Sequence, residues 1–415
     1  MTDLSVDARL LAPDREHAGK GLSVNRLVVA LALALLAGAA IALAETYSWR
    51  LGALFLVGGA LGVALYHALF GFTSAWRVFI ADGRGAGLRA QMLMLAVAAV
   101  LFFPALAHGT LLGQPVHGEY GAVGVSVLAG AFLFGVGMQI GGGCASGTLY
   151  TVGGGNTRML ATLAAFIAGS ALGAEQLPWW AAQPNIGSVS LIGRLGWGPA
   201  LALSLAAMAM IAGLTVLVEK RRHGSLARGN PTDARGFRRF LHGPWPLAAG
   251  AVALALGNML TLYLAGRPWG ITSAFALWGS KIAMAAGADV ASWGYWQAPG
   301  RALSLRQSIF ADVTSVMDFG IVLGAFLATG LAGKFAPSWK VPLPSLVAAV
   351  LGGLLLGYGA RLAYGCNIGA YFSGIASSSL HGWLWLAAAF AGSVAGTRLR
   401  PLFGLTVERT RPSGC

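Results

Sequence analysis

Met138-Gln139-Ile140-Gly141-Gly142-Gly143-Cys144-Ala145-Ser146-Gly147-Thr148-Leu149-Tyr150 holds the first cysteine of the chain, with Gly135 and Gly137 before it and Gly153, Gly154 and Gly155 after it. The pattern returns in the second half as Gly357-Tyr358-Gly359-Ala360-Arg361-Leu362-Ala363-Tyr364-Gly365-Cys366-Asn367-Ile368-Gly369-Ala370-Tyr371-Phe372. Both stretches read Gly-x-Gly, an intervening run, Gly-Cys-x-x-Gly, then an aromatic residue. A soluble core has no use for so much glycine around two cysteines. The expectation is that the two segments face each other inside a membrane and form one site.

Composition supports that setting. The hydrophobic fraction is 56% and only 10% of residues are charged, with a mean hydropathy of +0.70. A soluble domain carries about 25% charged residues, so the chain reads as a polytopic membrane protein. Several apolar runs are long enough to cross roughly 30 Å of hydrocarbon. The 61 glycines suit close helix contacts in lipid, where small residues let backbones approach. The net charge of +14 raises the question of nucleic acid. The charges, however, collect in loops on one side, as insertion topology demands, and the partner expected is the lipid bilayer, with no nucleic acid.

The spans predicted are about 27–45, 51–70, 90–107, 121–140, 158–175, 199–218, 245–264, 309–331, 344–362 and 382–398. The expected class is therefore an all-α polytopic membrane protein with about ten transmembrane helices. No small-residue cleavage site follows the first apolar run, so that span is expected to be retained. The organisation expected is a tail and extra span at 1–50, a first repeat plus connecting span at 51–218, a basic linker at 219–243, a second repeat at 244–400 and a tail at 401–415.

Phe70-Gly71-Phe72-Thr73-Ser74-Ala75-Trp76 matches Trp269-Gly270-Ile271-Thr272-Ser273-Ala274-Phe275. Both are too short to span. The same holds for Ala145–Val152, read as a half-helix, since broken backbone at depth needs protein or a cavity around it. The second span and its repeat are separated by an odd number of crossings, so the halves must be inverted. Two inverted repeats with short re-entrant half-helices meeting near the midplane are a recurring transporter plan.

Of the 28 Lys and Arg, all but Arg50, Arg194, Arg267, Lys281, Arg301, Arg306 and Arg361 are assigned to one face. These include Arg9, Arg15, Lys20 and Arg26, the run from Lys220 through Arg228, Arg235 and Arg239, and Arg398, Arg400, Arg409 and Arg411. That face is expected to be cytoplasmic and to carry both termini.

A cysteine opening a half-helix sits where free N–H groups and the positive dipole end collect, an environment suited to anions. A thiolate would repel an anion there, whereas a neutral thiol donates an S–H bond to it. Gly143, Gly147, Gly365 and Gly369 would permit backbone approach to a ligand. A lone cysteine is more often a small packing residue; the matched placement of Cys144 and Cys366 favours function. Three cysteines without CxxC pairs or zinc spacings predict no metal and no cofactor. No Gly-Lys-Ser/Thr follows the glycine runs, so they are not a phosphate loop.

Gly143-Cys144-x-x-Gly147 and Gly365-Cys366-x-x-Gly369, on inverted halves with re-entrant helices, resemble the YeeE/YedE sulphur-transport family. The resemblance spans roughly residues 50–400. It implies an inner-membrane importer of thiosulfate or a related sulphur anion through an hourglass pore, with Cys144 and Cys366 passing the substrate by S–H···S contacts. A cytoplasmic sulphur-carrier protein would be a further partner. The family pattern includes another pore cysteine. This chain has none near Gly71–Trp76 or Gly270–Phe275, and Cys415 belongs to the terminal tail.

Thr73 and Thr272, with Ser74 and Ser273, are candidates to line the two mouths, with helix capping the plainer alternative. Asn367 is a candidate anion donor, while Asn156 fits a turn better. Asp312 and Asp318, in or beside an apolar run, suggest a proton relay or a partner for Arg361 or Lys281. His67 fits a packing role, and Trp179, Trp180, Trp293 and Trp296 fit an interfacial belt or loop anchors. The rival functions are a membrane-embedded sulphurtransferase carrying a persulfide on one cysteine and a channel for a small neutral solute.

Overall fold

In a computed structural model, residues 24–226 and 236–407 are described. Arg9, Arg15, Lys20, Arg228, Arg235, Arg409, Arg411 and Cys415 lie outside the described residues. Without water at depth, each apolar run must satisfy its own backbone groups, and the runs form helices. Numbering the spanning and half-helices alone, α1 is Arg26–Thr46, α2 Trp49–His67, α3 Phe72–Asp82, α4 Ala86–His108, α5 Val125–Gly141, α6 Ala145–Gly153 and α7 Arg158–Ala181. There follow α8 Trp197–His223, α9 Leu247–Ala265, α10 Thr272–Ala285, α11 Val313–Leu331, α12 Leu343–Leu362 and α13 Leu380–Leu399. A π-helical segment, Asn367–Ser373, joins α12 to α13.

Nine described helical stretches are long and apolar enough to cross a membrane, counting α2 with α3 and α5 with α6 as one stretch each. The 20-residue α13, outside those nine, packs along α5. The protein is an all-α polytopic membrane protein. Helix starts follow side-chain chemistry: Asn25, Ser48 and Asp312 accept from Val28, Leu51 and Ser315 backbone N–H groups at 3.2, 3.3 and 2.7 Å.

Packing pairs map onto one another when the halves are exchanged. Helix α2 lies on α11 as α9 lies on α4. Helix α12 lies on α7 as α5 lies on α13, and the half-helices follow the same rule, α3 on α13 and α10 on α7. The self-related pairs, α2 with α9 and α5 with α12, sit at the centre of the exchange. Helix α1 packs on α2 and α11, and α8 on α4, both outside the repeated plan.

Glycines make these contacts possible. A Cβ at Gly58 or Gly62 would collide with the Met317 or Ile321 carbonyl, and one at Gly320 or Gly324 with the Phe55 or Gly59 carbonyl. The four-residue spacing on both partners is the small-xxx-small contact of membrane helices.

Some boundaries differ from expectation. The fourth span begins at Val125, because Ala122–Gly124 pairs as a strand with Asn185–Ser188 in a loop above the helices. Asp312 is the N-cap of α11 and lies outside the span, while Asp318 is fully buried within it. Residues 276–305 form the rest of α10 and a folded loop ending in a short helix, Pro299–Arg306.

Candidate functional site

Both cysteines occupy the N-cap position of a broken segment. Cys144 caps α6 in an extended conformation, and its Sγ accepts from the Gly147 N–H at 3.3 Å. Cys366 caps the π-helical segment, and its Sγ accepts from the Ile368 N–H at 3.4 Å. Each sulphur thus replaces the oxygen of a Ser or Asp cap, which leaves the S–H free to donate elsewhere. Both thiols are buried, and they lie close enough to influence one another electrostatically. The Ser146 hydroxyl is 3.4 Å from Cys144 Sγ.

The flanking glycines divide into two kinds. Gly365 has φ of +155° and a Cβ there would fall 2.7 Å from the Ala370 nitrogen, so conformation and space both require glycine. At Gly369 a Cβ would meet nothing within 4 Å. Gly147 would meet only Cys144 Sγ, at 3.3 Å, and Gly143 the Thr148 nitrogen, also at 3.3 Å.

Gly365 and Gly369 line a cavity of about 690 Å³ that opens on the face away from the Lys220–Arg222 run. This far cavity holds Arg267, Arg301 and Arg361. Arg361 is 7% exposed; it donates from Nη1 to the Tyr295 hydroxyl at 2.8 Å and from Nη2 to Thr272 Oγ1 at 2.9 Å. Its Nε has no hydrogen-bond partner among the described residues. The Arg301 guanidinium lies 4.2 Å over the Tyr295 ring, and Arg267 donates to Thr314 Oγ1 at 3.1 Å. Among the described residues none of the three guanidiniums forms an ion pair. Glu119, from the loop before α5, lines the same cavity. Burial pushes its carboxyl above the ordinary glutamate range, against the pull of Arg267, Arg361 and Arg301.

On the opposite side α3 begins a second, smaller cavity near Gly71 and Ser74. Thr73 is buried; its carbonyl accepts from Gln139 Nε2 at 3.3 Å, and its hydroxyl lies close enough to Cys144 to interact with its thiol. Both thiols are buried, and neither lines either cavity, although Gly365 and Gly369 beside Cys366 line the larger one.

The remaining candidates separate clearly. Asn367 is fully buried beside Cys366, and neither amide atom has a partner among the described residues. Thr272 lines the far cavity as expected, held by Arg361. Asn156 caps α7, accepting from the Met159 N–H at 3.3 Å. The partner expected for Arg361 or Lys281 is not an aspartate: Lys281 donates to the Leu305 and Gln307 carbonyls, each at 2.7 Å. Asp318 has no partner for either oxygen among the described residues. His67 packs against Trp245 but leaves Nε2 without a partner there. Trp296, expected among belt and loop residues, is buried in the cavity wall with Tyr295, and its Nε1 donates to Ser280 at 2.9 Å. No group of His, Cys, Asp and Glu among the described residues could hold a metal ion.

Comparison with known proteins gives a consistent result. The chain is 33% identical over 174 residues to the probable transporter YedE of Salmonella typhimurium, covering 40% of this chain and 41% of that protein. It thus spans less than half the length of that relative. It is 28% identical over 352 residues to the thiosulfate transporter TsuA of Spirochaeta thermophila, covering 79% of this chain and 92% of the relative. The corresponding values for TsuA of Escherichia coli are 24% over 351 residues, 80% and 89%. These relatives are described as transporters, not enzymes. The family model described as sulphur transport matches residues 67–395, and the chain belongs to that family.

Proposed function

We propose that the protein imports a small sulphur-containing anion, thiosulfate, through a pore whose waist is formed by Cys144 and Cys366. The observation that carries this reading is the pairing of two buried N-cap thiols beneath a cavity holding three arginines without ion pairs. Arg267, Arg301 and Arg361 draw the anion in, as guanidiniums recognise oxyanions through directed N–H groups. Gly365 and Gly369 let it approach the backbone. The Cys366 S–H and the Asn367 amide then donate to it, Cys144 takes it over, and it leaves past Thr73. Gly143 and Gly147 keep the backbone near Cys144 low enough for passage. Neutral thiols serve this relay, because a thiolate in a dry waist would repel the anion.

The basic face is read as cytoplasmic, in an inner membrane, with both termini on that side. A soluble sulphur-carrier protein there would accept the imported anion. No nucleotide-binding motif is present in the sequence, so flux is passive, ion-coupled or driven by consumption of the anion inside. The first repeat, which with its connecting span occupies 51–218, and the second at 244–400 act as the two halves of one pore.

The test is uptake of labelled thiosulfate into vesicles by wild type, Cys144→Ser and Cys366→Ser. Each variant is expected to fold and to lose about tenfold or more of its uptake, because O–H and S–H differ in reach and polarisability. Unchanged uptake in both would remove the cysteine relay and favour a channel for a neutral solute. A persulfide turning over on either thiol would favour the sulphurtransferase.

A further inference from the structure

The smaller cavity, of about 190 Å³, is lined by Phe70, Gly71, Ser74, Arg84, Gln91 and Leu247 among others. Gln91 is 1% exposed and stands two residues after Arg89, where the apolar run of α4 begins. Its Oε1 accepts from Trp76 Nε1 at 2.8 Å and from the Tyr371 hydroxyl at 3.5 Å. An indole N–H can only donate, so this pairing fixes which end of the amide is oxygen. The Nε2 group, with two N–H donors, has no partner among the described residues.

A buried amide nitrogen left unmatched costs about 1–3 kcal/mol, and such groups in native structures call for a missing partner. Apolar packing would have been better met by Leu or Met at this position. Tyr371 belongs to the segment capped by Cys366, and Trp76 to the half-helix α3, so Gln91 joins both halves of the pore at the cavity floor.

We infer that this cavity is a second binding site, on the face opposite the arginines, for the oxygens of a small sulphur oxyanion leaving the waist. The two N–H groups of the Gln91 amide are its donors, beside the Ser74 hydroxyl, whose own hydrogen goes to the Gly71 carbonyl at 3.3 Å. The inference rests on the transport reading above and adds to it a site free of thiols. Arg84 stands at its rim but is engaged with Glu219 at 3.4 Å and Asp82 at 3.8 Å, which leaves neutral donors to do the holding. Neutral donors hold an anion less tightly than guanidiniums, as release into the cell requires.

Gln91→Glu replaces the unpartnered amide nitrogen with oxygen. Its two oxygens still accept from Trp76 and Tyr371, while the donor to the anion is lost. Gln91→Met removes the donor without adding charge. Labelled thiosulfate flux is measured in right-side-out and inside-out vesicles, with the thermal midpoint as the folding control. In both variants half-saturation from the Lys220–Arg222 face is expected to rise about tenfold, with half-saturation from the far face changed less than twofold. Equal shifts on both faces, or none on either, overturn the inner site. The cysteine relay fails separately: if Cys144→Ser and Cys366→Ser keep full flux while the Gln91 variants show the one-sided shift, that relay is wrong and the inner site stands. Absence of any thiosulfate flux in wild type overturns both.

Discussion

Arg361 donates to Thr272 Oγ1 at 2.9 Å, a bond that joins the last turn of α12 to the first residue of the half-helix α10. It holds a nearly buried guanidinium in the wall of the far cavity while leaving Nε without a partner among the described residues. A charge kept at that depth without an ion pair is costly, and an arriving anion offsets the cost. Arg361→Gln should raise the half-saturation for thiosulfate uptake at least about tenfold, the effect of one lost hydrogen bond to a charged group, with a smaller change in maximal rate. Arg361→Lys should recover part of it, since the charge returns without the planar fork. Concentration dependence of initial rates checks both, and an unchanged half-saturation in Arg361→Gln would exclude the arginine from capture.

Glu119 gives the far cavity a pH dependence whose sign can be worked out. Burial raises its carboxyl above the ordinary range, so as pH falls the group takes up its proton earlier than an exposed glutamate would. Protonation removes one of the two carboxylates lining the cavity, the other being Asp312, that oppose Arg267, Arg301 and Arg361. Anion affinity should therefore strengthen as pH falls through that raised range and weaken as pH rises through it. Glu119→Gln should hold the high-affinity behaviour across the range. Half-saturation measured against pH in wild type and variant decides this; a wild-type profile retained by the variant would assign the dependence to another group.

The paired N-cap cysteines were legible because their signals are local. Glycine and cysteine at fixed spacing mark broken helices whatever surrounds them, and the odd number of crossings orients the halves. The far cavity was not legible in the same way. Arg267, Arg301 and Arg361 come from three separate segments, and only the folded loop after α10 gathers them beneath Tyr295 and Trp296. Arg361 reads in sequence as a charge seeking a carboxylate, whereas its partners are two hydroxyls. Gln91 did leave a signal, a lone polar residue in an apolar run. Asn258 leaves the same one in α9, where its amide accepts from the Trp269 N–H at 2.8 Å and donates to Ser373 at 3.1 Å.

Glu219 anchors the turn between α3 and α4 to α8. Its carboxylate, fully buried, takes Arg89 at 2.8 Å, the Gly85 N–H at 3.1 Å and Arg84 at 3.4 Å. The two arginines are partly exposed, at 22% and 25% for Arg89 and Arg84, which reduces what the pair contributes through solvent screening. Glu219→Gln should nonetheless destabilise the protein by about 1–3 kcal/mol, since it leaves buried donors poorly matched. The thermal midpoint in detergent should fall. A midpoint equal to wild type would show that the Gly85 turn holds without this carboxylate.

Gly365 and Gly369 allow the fold and the pathway to be separated with two equal additions of one methyl group. At Gly365 the methyl meets backbone 2.7 Å away, in a conformation that L side chains rarely adopt; such strain costs on the order of 1–3 kcal/mol. Gly365→Ala should therefore lower the thermal midpoint and reduce flux only as the folded fraction falls. At Gly369 the methyl enters open space in the far cavity, with nothing within 4 Å. Gly369→Ala should keep the midpoint, or raise it slightly by restricting the unfolded chain, and yet reduce flux by narrowing the approach to Cys366. Midpoint and flux measured on the same preparations distinguish the two effects. Full flux in a stable Gly369→Ala protein would mean that the anion does not pass along this glycine, and the approach to Cys366 would have to run by another wall of the cavity.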